Sequence, residues 1–330
     1  MAQILIGKND FSALVLDQLN NDQTLLNPAF GLTVIGGNSG YVKGGTIFTW
    51  RLSKTLNGDW TPIVDETTTT TPTYLDQLAI KGIAIHAQSS FAESDISKII
   101  TQTGILQAAF VQDLANYVAD GQRQFLIPAI KGAFNAASAS PFIKDISGIG
   151  SGKLTASALI KIKAEKYPNK QDGFVKTLVV HPLVYADLLL TYQSQFANTS
   201  QGADVSANGK LPPMFGYNIV VSQQLCTPEV TDGVTLYPSY LCADGAFMID
   251  FTRQPMVETQ RDILKGGGTT NIAINESFYC TFHAASWKGA EATPTVVALE
   301  TGTNWEFKYH DAENVKAIKI LSKLDELVEG

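Results

Sequence analysis

The sequence is poor in the residues from which reactive and metal-binding sites are built. Its 330 residues include three cysteines and four histidines. Cys226, Cys242 and Cys280 are odd in number and far apart, with no C-x-x-C pair. That excludes a disulfide framework and a zinc pattern and leaves three small buried thiols. Cations are scarce too: 24 Lys and Arg stand against 31 Asp and Glu, giving a net charge of -7 and a pI near 5.1. Tight nucleic-acid binding needs clustered Lys and Arg, so a chain with this balance is able to enclose DNA but not to grip it. No apolar run approaches the roughly 20 residues of a bilayer span. The opening MAQILIGKND has no basic segment followed by a long apolar one. The chain therefore reads as soluble and cytosolic, with no membrane partner.

Core-forming material is plentiful: 45% of the residues are hydrophobic, enough for one large domain or two ordinary ones. Residues 1–43 contain one short helical candidate, Phe11 to Leu19, then Asn27-Pro28 and GGNSG, and read as an extended arm. GTIFTWRLSKTL, from Gly45 to Leu56, is β-branched and aromatic, and Asn57-Gly58-Asp59 after it is a tight-turn signal. This predicts a long hairpin. Its return side carries Pro62, Pro72 and a threonine run from Thr67 to Thr71, which exclude a central strand and supply no core. An isolated two-stranded hairpin is marginal in water. Such an arm either folds back on its own domain or is held by another subunit.

The hydrophobic period then changes. Ile96, Ile99, Ile100, Leu106, Phe110, Leu114, Val118 and Phe125 recur at spacings near three and four, with Ser94 or Asp95 as the cap. The spacing predicts a helix to Ile127, stopped by Pro128 and about 50 Å long at 1.5 Å per residue. Gly104 and Gly121 mark places for a bend or for a division into two helices. Ala133 to Gly152 is rich in small residues. After it TASALIKIKAEKY, capped by Thr155, is helical; GFVKTLVV is a buried strand; HPLVYADLLLTYQ is a helix with Pro182 in its first turn. FGYNIVVSQQL, SYLCADGAFMIDF, MVETQRDIL, NIAINESFYCTFHAASW and NVKAIKILSKL supply strands or short helices, with Gly266-Gly267-Gly268 as a turn. The order is mixed α+β, without the regular βαβ repeat of a doubly wound sheet.

Three places invite a chemical reading. SGIGSGKLTAS, Ser147 to Ser157, has the look of a phosphate-cradling loop, but its spacing is one residue short of G-x-x-x-x-G-K-[ST] and Leu154 replaces the magnesium-binding hydroxyl. It reads as a linker before a capped helix. His181 follows a strand, as catalytic residues often do, yet no G-x-S-x-G elbow offers it a serine. In NESFYCTFHAASWKGAEATPT, Glu276, Cys280 and His283 are close in sequence. Strand alternation places Phe278, Cys280, Phe282 and Ala284 on one face and Tyr279, Thr281, His283 and Trp287 on the other, provided the strand runs that far. The cysteine and histidine then point apart and the stretch reads as a strut. His86 and His310 have no carboxylate or thiol pattern around them for a metal.

In this order the segments resemble the major capsid protein of tailed bacteriophages, the Hong Kong 97-type fold. FGYNIVVSQQL is similar to that family's glycine-then-strand element, YLCADGAF to its strand ending in Gly-Ala, VETQRDILKGGG to its V-E-T-x-R-D segment, and ASWKGAEATPTVVALETGTNWE to its G-x-x-W-x-G element, with Ala285 where many relatives carry glycine. The resemblance, from about Gly45 to Leu324, implies an α+β fold with an N-terminal arm (1–44), an extended β-hairpin loop (45–93), a peripheral domain with a long spine helix (94–152), an axial α/β domain (153–257), and peripheral strands with a C-terminal segment (258–330). It places Arg51, Lys54, Asp59 and Trp60 on the extended loop that overlies a neighbour, and carries over Glu258, Arg261 and Asp262 as a charged element. Some relatives join subunits through a Lys-Asn bond; Lys54 has no matching Asn or carboxylate here, so that reaction is not expected.

The function so implied is a non-enzymatic, self-assembling virion shell subunit. Its copies form hexamers and pentamers around double-stranded DNA, with portal and scaffolding proteins as partners, scaffolding residing on a separate protein, and no cofactor. The alternatives are an encapsulin-like bacterial compartment shell and, from another class, a cytosolic hydrolase using His181 or His283.

Overall fold

The computed structural model describes residues 32–35, 47–53, 77–94, 106–168, 170, 174–197, 216–262, 264, 268–290, 294–309 and 315–324. The chain order is β1 (Leu32–Ile35), β2 (Ile47–Ser53), β3 (Gln77–Ser94), α1 (Leu106–Phe134), a 3-10 helix (Ala137–Phe142), β4 (Ile143–Asp145), α2 (Ala156–Lys166), β5 (Val175–Val180), α3 (Pro182–Ala197), β6 (Asn218–Val221), β7 (Glu229–Thr231) and β8 (Val234–Ala243). There follow β9 (Phe247–Asp262), β10 (Thr269–Phe282), β11 (Ala285–Trp287), α4 (Val296–Glu300), β12 (Trp305–Phe307) and β13 (Ala317–Ser322). The described strands form two sheets with α1 against both.

The first sheet runs β1-β9-β10-β11-β12, with β3 on β10 and β2 on β3. Strand β3 is long because its two halves have different partners. Gln77 to Ile83 pair with β2, and Ile83 to Ser94 pair with β10. At about 3.3 Å per residue such a strand spans about 60 Å. The β2–β3 pair thus continues beyond the end of the β10 ladder as a two-stranded ribbon. Strand β1 adds in parallel to the start of β9, Leu32 opposite Phe247.

The second sheet runs β4-β13-β8-β5-β6, with β7 on β8. Period-2 alternation divides its residues between two cores. Leu178, Val180, Ile219, Leu241, Ile318 and Ile320 face α2 and α3, where Leu159, Ile162, Val184 and Leu188 cover them. Val179, Val220, Tyr240, Cys242 and Ala317 face the other way and join the core built on α1 and the first sheet. The two covering helices begin as the sequence dictates. The Thr155 hydroxyl accepts from the Ala158 N–H at 3.2 Å, and Pro182 occupies the first position of α3, where its missing N–H costs nothing.

Several sequence expectations are corrected. Ser94 ends β3, and the expected cap and helix start from Asp95 to Ile105 lie outside the described residues. Helix α1 does not stop before Pro128 but passes through it to Phe134, 29 residues in all. An interior proline costs about 3 kcal/mol. Leu126, Ala129, Ile130, Ala133 and Phe134, all buried around it, offset that cost at about 1.5–3 kcal/mol for each large side chain. The small-residue stretch from Ala133 to Gly152 is packed: Ala139 and Phe142 are fully buried, and β4 pairs in parallel with β13. Strand β10 ends at Phe282 and reverses through His283 and Ala284, so that Phe282 lies opposite Ala285. Trp287 therefore belongs to the same core as Phe278 and Cys280 rather than to the opposite face.

Close approach, not turn geometry, makes Gly132 necessary. A Cβ there would lie 1.9 Å from the carbonyl oxygen of Leu299, which also accepts from Trp305 Nε1 at 2.8 Å. Gly132→Ala is expected to force α1 from α4 and to destabilise the protein by about 1–3 kcal/mol, as overpacking does. Chemical denaturation of the variant beside the parent chain measures it.

Candidate functional site

Among the described residues, no cysteine or histidine is arranged to react. Cys226, Cys242 and Cys280 are free and fully buried. Burial pushes the Cys242 thiol up to about 12 and raises the other two as well, so no thiolate forms at neutral pH. His181 is buried beside Tyr237, with ring centroids 5.1 Å apart. Its Nδ1 accepts from the Leu183 N–H at 3.2 Å, and burial lowers its pKa, which favours the neutral ring that this acceptor role requires. It is a helix cap for α3. His283 sits in the turn after β10, its ring stacked on Tyr309 at 6.4 Å and its N–H donating to the Ala246 carbonyl at 2.9 Å. His86 is exposed, 2.9 Å from the Ser277 hydroxyl through Nδ1, and His310 lies outside the described residues.

The glycine-rich loop at Ser147 to Ser157 is a strut. Gly152, at φ 71°, accepts the Lys323 N–H at 2.9 Å, and Lys153 Nζ reaches Asp187 on α3 at 3.2 Å. The lysine that resembled a phosphate ligand is thus tied to a carboxylate. Among the described residues no cluster of three His, Cys, Asp or Glu side chains is placed to hold a metal ion, and no described helix is long and apolar enough to cross a membrane.

The surfaces with functional potential are of another kind. The β2–β3 ribbon is the first. Arg51 lies in β2 opposite Ala79, whereas Lys54, Asp59 and Trp60 fall outside the described residues. A hydrogen bond from the Lys81 N–H to Ser286 Oγ, 3.1 Å, ties the base of the ribbon to β11. The far end of β9 is the second: Glu258, Arg261 and Asp262 stand opposite Ala273, Thr270 and Thr269. Glu258 is exposed, and Asp262 Oδ1 accepts from the Leu264 N–H at 3.0 Å. The structure brings these three together on one strand and keeps them apart from Arg51.

The third surface was not legible as such in the sequence. Leu183, Ala186 and Leu190 form an exposed stripe on α3, and Ile160 is exposed on α2. Leu190 is 74% exposed. The spacing of three and four along α3 was present in the sequence, but both faces of that helix are apolar, and only the sheet beneath it tells which one is left uncovered.

Comparison with known proteins accords with these surfaces. A family model described as "Phage capsid protein" matches residues 90–305, more than half of the chain. No curated protein matches the chain. Among solved structures the chain is similar to the capsid of Ralstonia phage GP4, with a TM-score of 0.60 at 12% identity over 92% of this chain and 89% of that one. It is similar also to the capsid asymmetric unit of cyanophage Pam1, with a TM-score of 0.57 at 12% identity over 87% of each chain. The capsid of Helicobacter pylori bacteriophage KHP30 gives 0.54 at 8% identity over 90% of this chain and 89% of that one.

If the histidines are only structural, His181→Gln with His283→Gln leaves particle formation unchanged in negative-stain micrographs. Loss of particles from a chain that is still folded by circular dichroism would return them to function.

Proposed function

The chain belongs to the phage capsid protein family and is a component of the virion shell; from that premise we propose that it is the major capsid subunit of a tailed double-stranded DNA phage. Copies associate into hexamers and pentamers that close an icosahedral shell around the genome. The observation that carries this reading is the ribbon of β2 and β3 running past the end of its own sheet. Two strands alone are marginal in water. A neighbouring copy meets the side of the ribbon exposed at Ala79 and Lys81, and many such modest contacts sum through multivalency.

Within this reading, residues 1–44 are the arm and 45–93 the extended loop. Residues 94–152 and 258–330 make the peripheral region and 153–257 the axial domain, whose sheet is completed at one edge by β13 and β4. Arg51, Lys54, Asp59 and Trp60 contact the neighbour overlain by the loop, and Glu258, Arg261 and Asp262 form a charged contact at the opposite end of the sheet. The subunit performs no catalysis: its thiols are inert, and His181 and His283 are engaged in capping and packing. The net charge of -7 suits a wall that confines DNA without holding it. Portal and scaffolding proteins are its further partners. A compartment shell for enzyme cargo has less support, since the family matched is the phage one.

Electron microscopy of the purified chain tests the proposal. Capsomers or closed shells are expected, with or without a co-expressed scaffold, and a strict monomer at high concentration in both conditions counts against it. Leu190→Asp places a charge on the exposed α3 stripe and should lower the yield of particles severalfold while leaving the thermal midpoint of the free subunit within a few degrees of the parent. Sedimentation velocity measures the first quantity and thermal denaturation followed by circular dichroism the second.

A further inference from the structure

Glu276 is a carboxyl group buried between helix and sheet. It stands on β10 between Ile274 and Phe278, 6% exposed. Across the interface Gln122, on α1 and fully buried, donates from Nε2 to Glu276 Oε2 at 2.7 Å. The β9 ladder is irregular at this point: Asn275 pairs with Met256 and Ser277 with Arg253. No β9 residue lies opposite Glu276, and Pro255, which has no N–H, falls within the irregularity. Bulges of this kind set the aim of a single side chain.

The pair is incomplete as a carboxylate and an amide. A carboxylate only accepts, and Gln122 Oε1 is a buried acceptor with no hydrogen-bond partner. Among the described side chains, the charged groups on the surrounding elements pair elsewhere or face solvent. On α1, Asp120 and Arg123 pair with each other, and Asp120 is two-thirds exposed. On β3, Lys81 and His86 are exposed, and His86 bonds Ser277, the neighbour of Glu276 on the other face. On β9, Glu258 is exposed, and Arg253 stands in register with Ser277.

We propose that Glu276 and Gln122 form a proton-operated latch between α1 and the first sheet. With the carboxyl neutral, its O–H is the donor that Gln122 Oε1 lacks, and acid and amide satisfy each other while the helix is seated. When the proton leaves to solvent, an acceptor-only anion faces a buried amide oxygen and seating is weakened. The latch belongs to the single chain and does not depend on the shell reading.

The direction of the pH effect follows from burial, which raises the Glu276 pKa from 4.5 to about 7 against the opposing hydrogen bond from Gln122. With the helix lifted, the group ionises at its ordinary value; with the helix seated, only near 7. Seating is therefore strongest below about 4.5, weakens as pH rises to about 7, and is level above it. Between pH 6 and pH 8 the seating equilibrium falls by about tenfold.

Hydrogen exchange on the purified full-length chain, corrected for the intrinsic pH dependence of exchange, reads this at the amides of residues 118–126. The parent chain should lose protection by about tenfold from pH 6 to pH 8 and by little more to pH 9. In Glu276→Gln, whose amide donates at any pH, protection should not vary. Equal loss in both chains, or none in the parent, overturns the latch. Should the variant fail to fold, an infrared titration of the parent decides. A protonated buried carboxyl that disappears near neutral pH supports the proposal, and the absence of one at pH 6 refutes it.

Discussion

The seating of α1 is the contact on which the rest of the structure depends. One helix supplies the wall shared by two sheets that otherwise touch little. Its C-terminal turns insert Phe134 between Tyr240 of the second sheet and Phe307 of the first, at 5.3 and 5.8 Å between ring centroids. Phe125 meets Phe278 edge-on at 6.5 Å on the other side. Such aromatic contacts add about 0.5–1.5 kcal/mol each beyond area burial, and they exist only while helix and both sheets hold their relative positions. That dependence explains two otherwise costly features. Gly132 gives up helix propensity so that the α4 backbone can approach, and Pro128 is tolerated because the residues around it are buried.

A consequence is an uneven distribution of stability. The second sheet is covered on both faces and needs nothing more. The first is buried at Ile80 and from Gly82 to Ile85 on β3 and from Phe278 to Phe282 on β10, whereas from His86 to Ala92 no residue of β3 is buried. The weakly supported parts are those that reach outward, and the strongly supported parts carry no reactive group. For a shell protein this division is mechanically sensible. Contacts formed late and between copies must be adjustable, while the block they connect must not deform.

Much of this was legible in the sequence where local signals and burial agreed. The Thr155 cap, Pro182 at the head of α3, the buried strand VKTLVV and the alternation of Phe278, Cys280 and Phe282 were all readable, since each depends on neighbours within a few residues. The reversal at His283 and Ala284 was not, because Ala284 adopts φ 76° without the glycine that normally announces it. The packing of residues 133–152 was not legible because small residues give no periodic signal; Ala139 is buried by what packs on it, not by its own hydrophobicity. Glu276 is the sharpest case. The sequence drew attention to Cys280 and His283 beside it, whereas its partner Gln122 is 154 positions away and on another element.

That last case has a general physical reading. A buried carboxyl is ordinarily excluded from a core by its desolvation cost, and it persists where a partner or a function offsets that cost. Here the partner is a neutral amide, which offsets little, and the position is a bulge in a sheet whose neighbouring residues are apolar. Leucine at 276 would fill the space without either difficulty, but it would also make the seating of α1 indifferent to pH. The polar pair instead makes the central contact of the subunit conditional on one proton, at the single interface where a small loss of affinity is felt by both sheets.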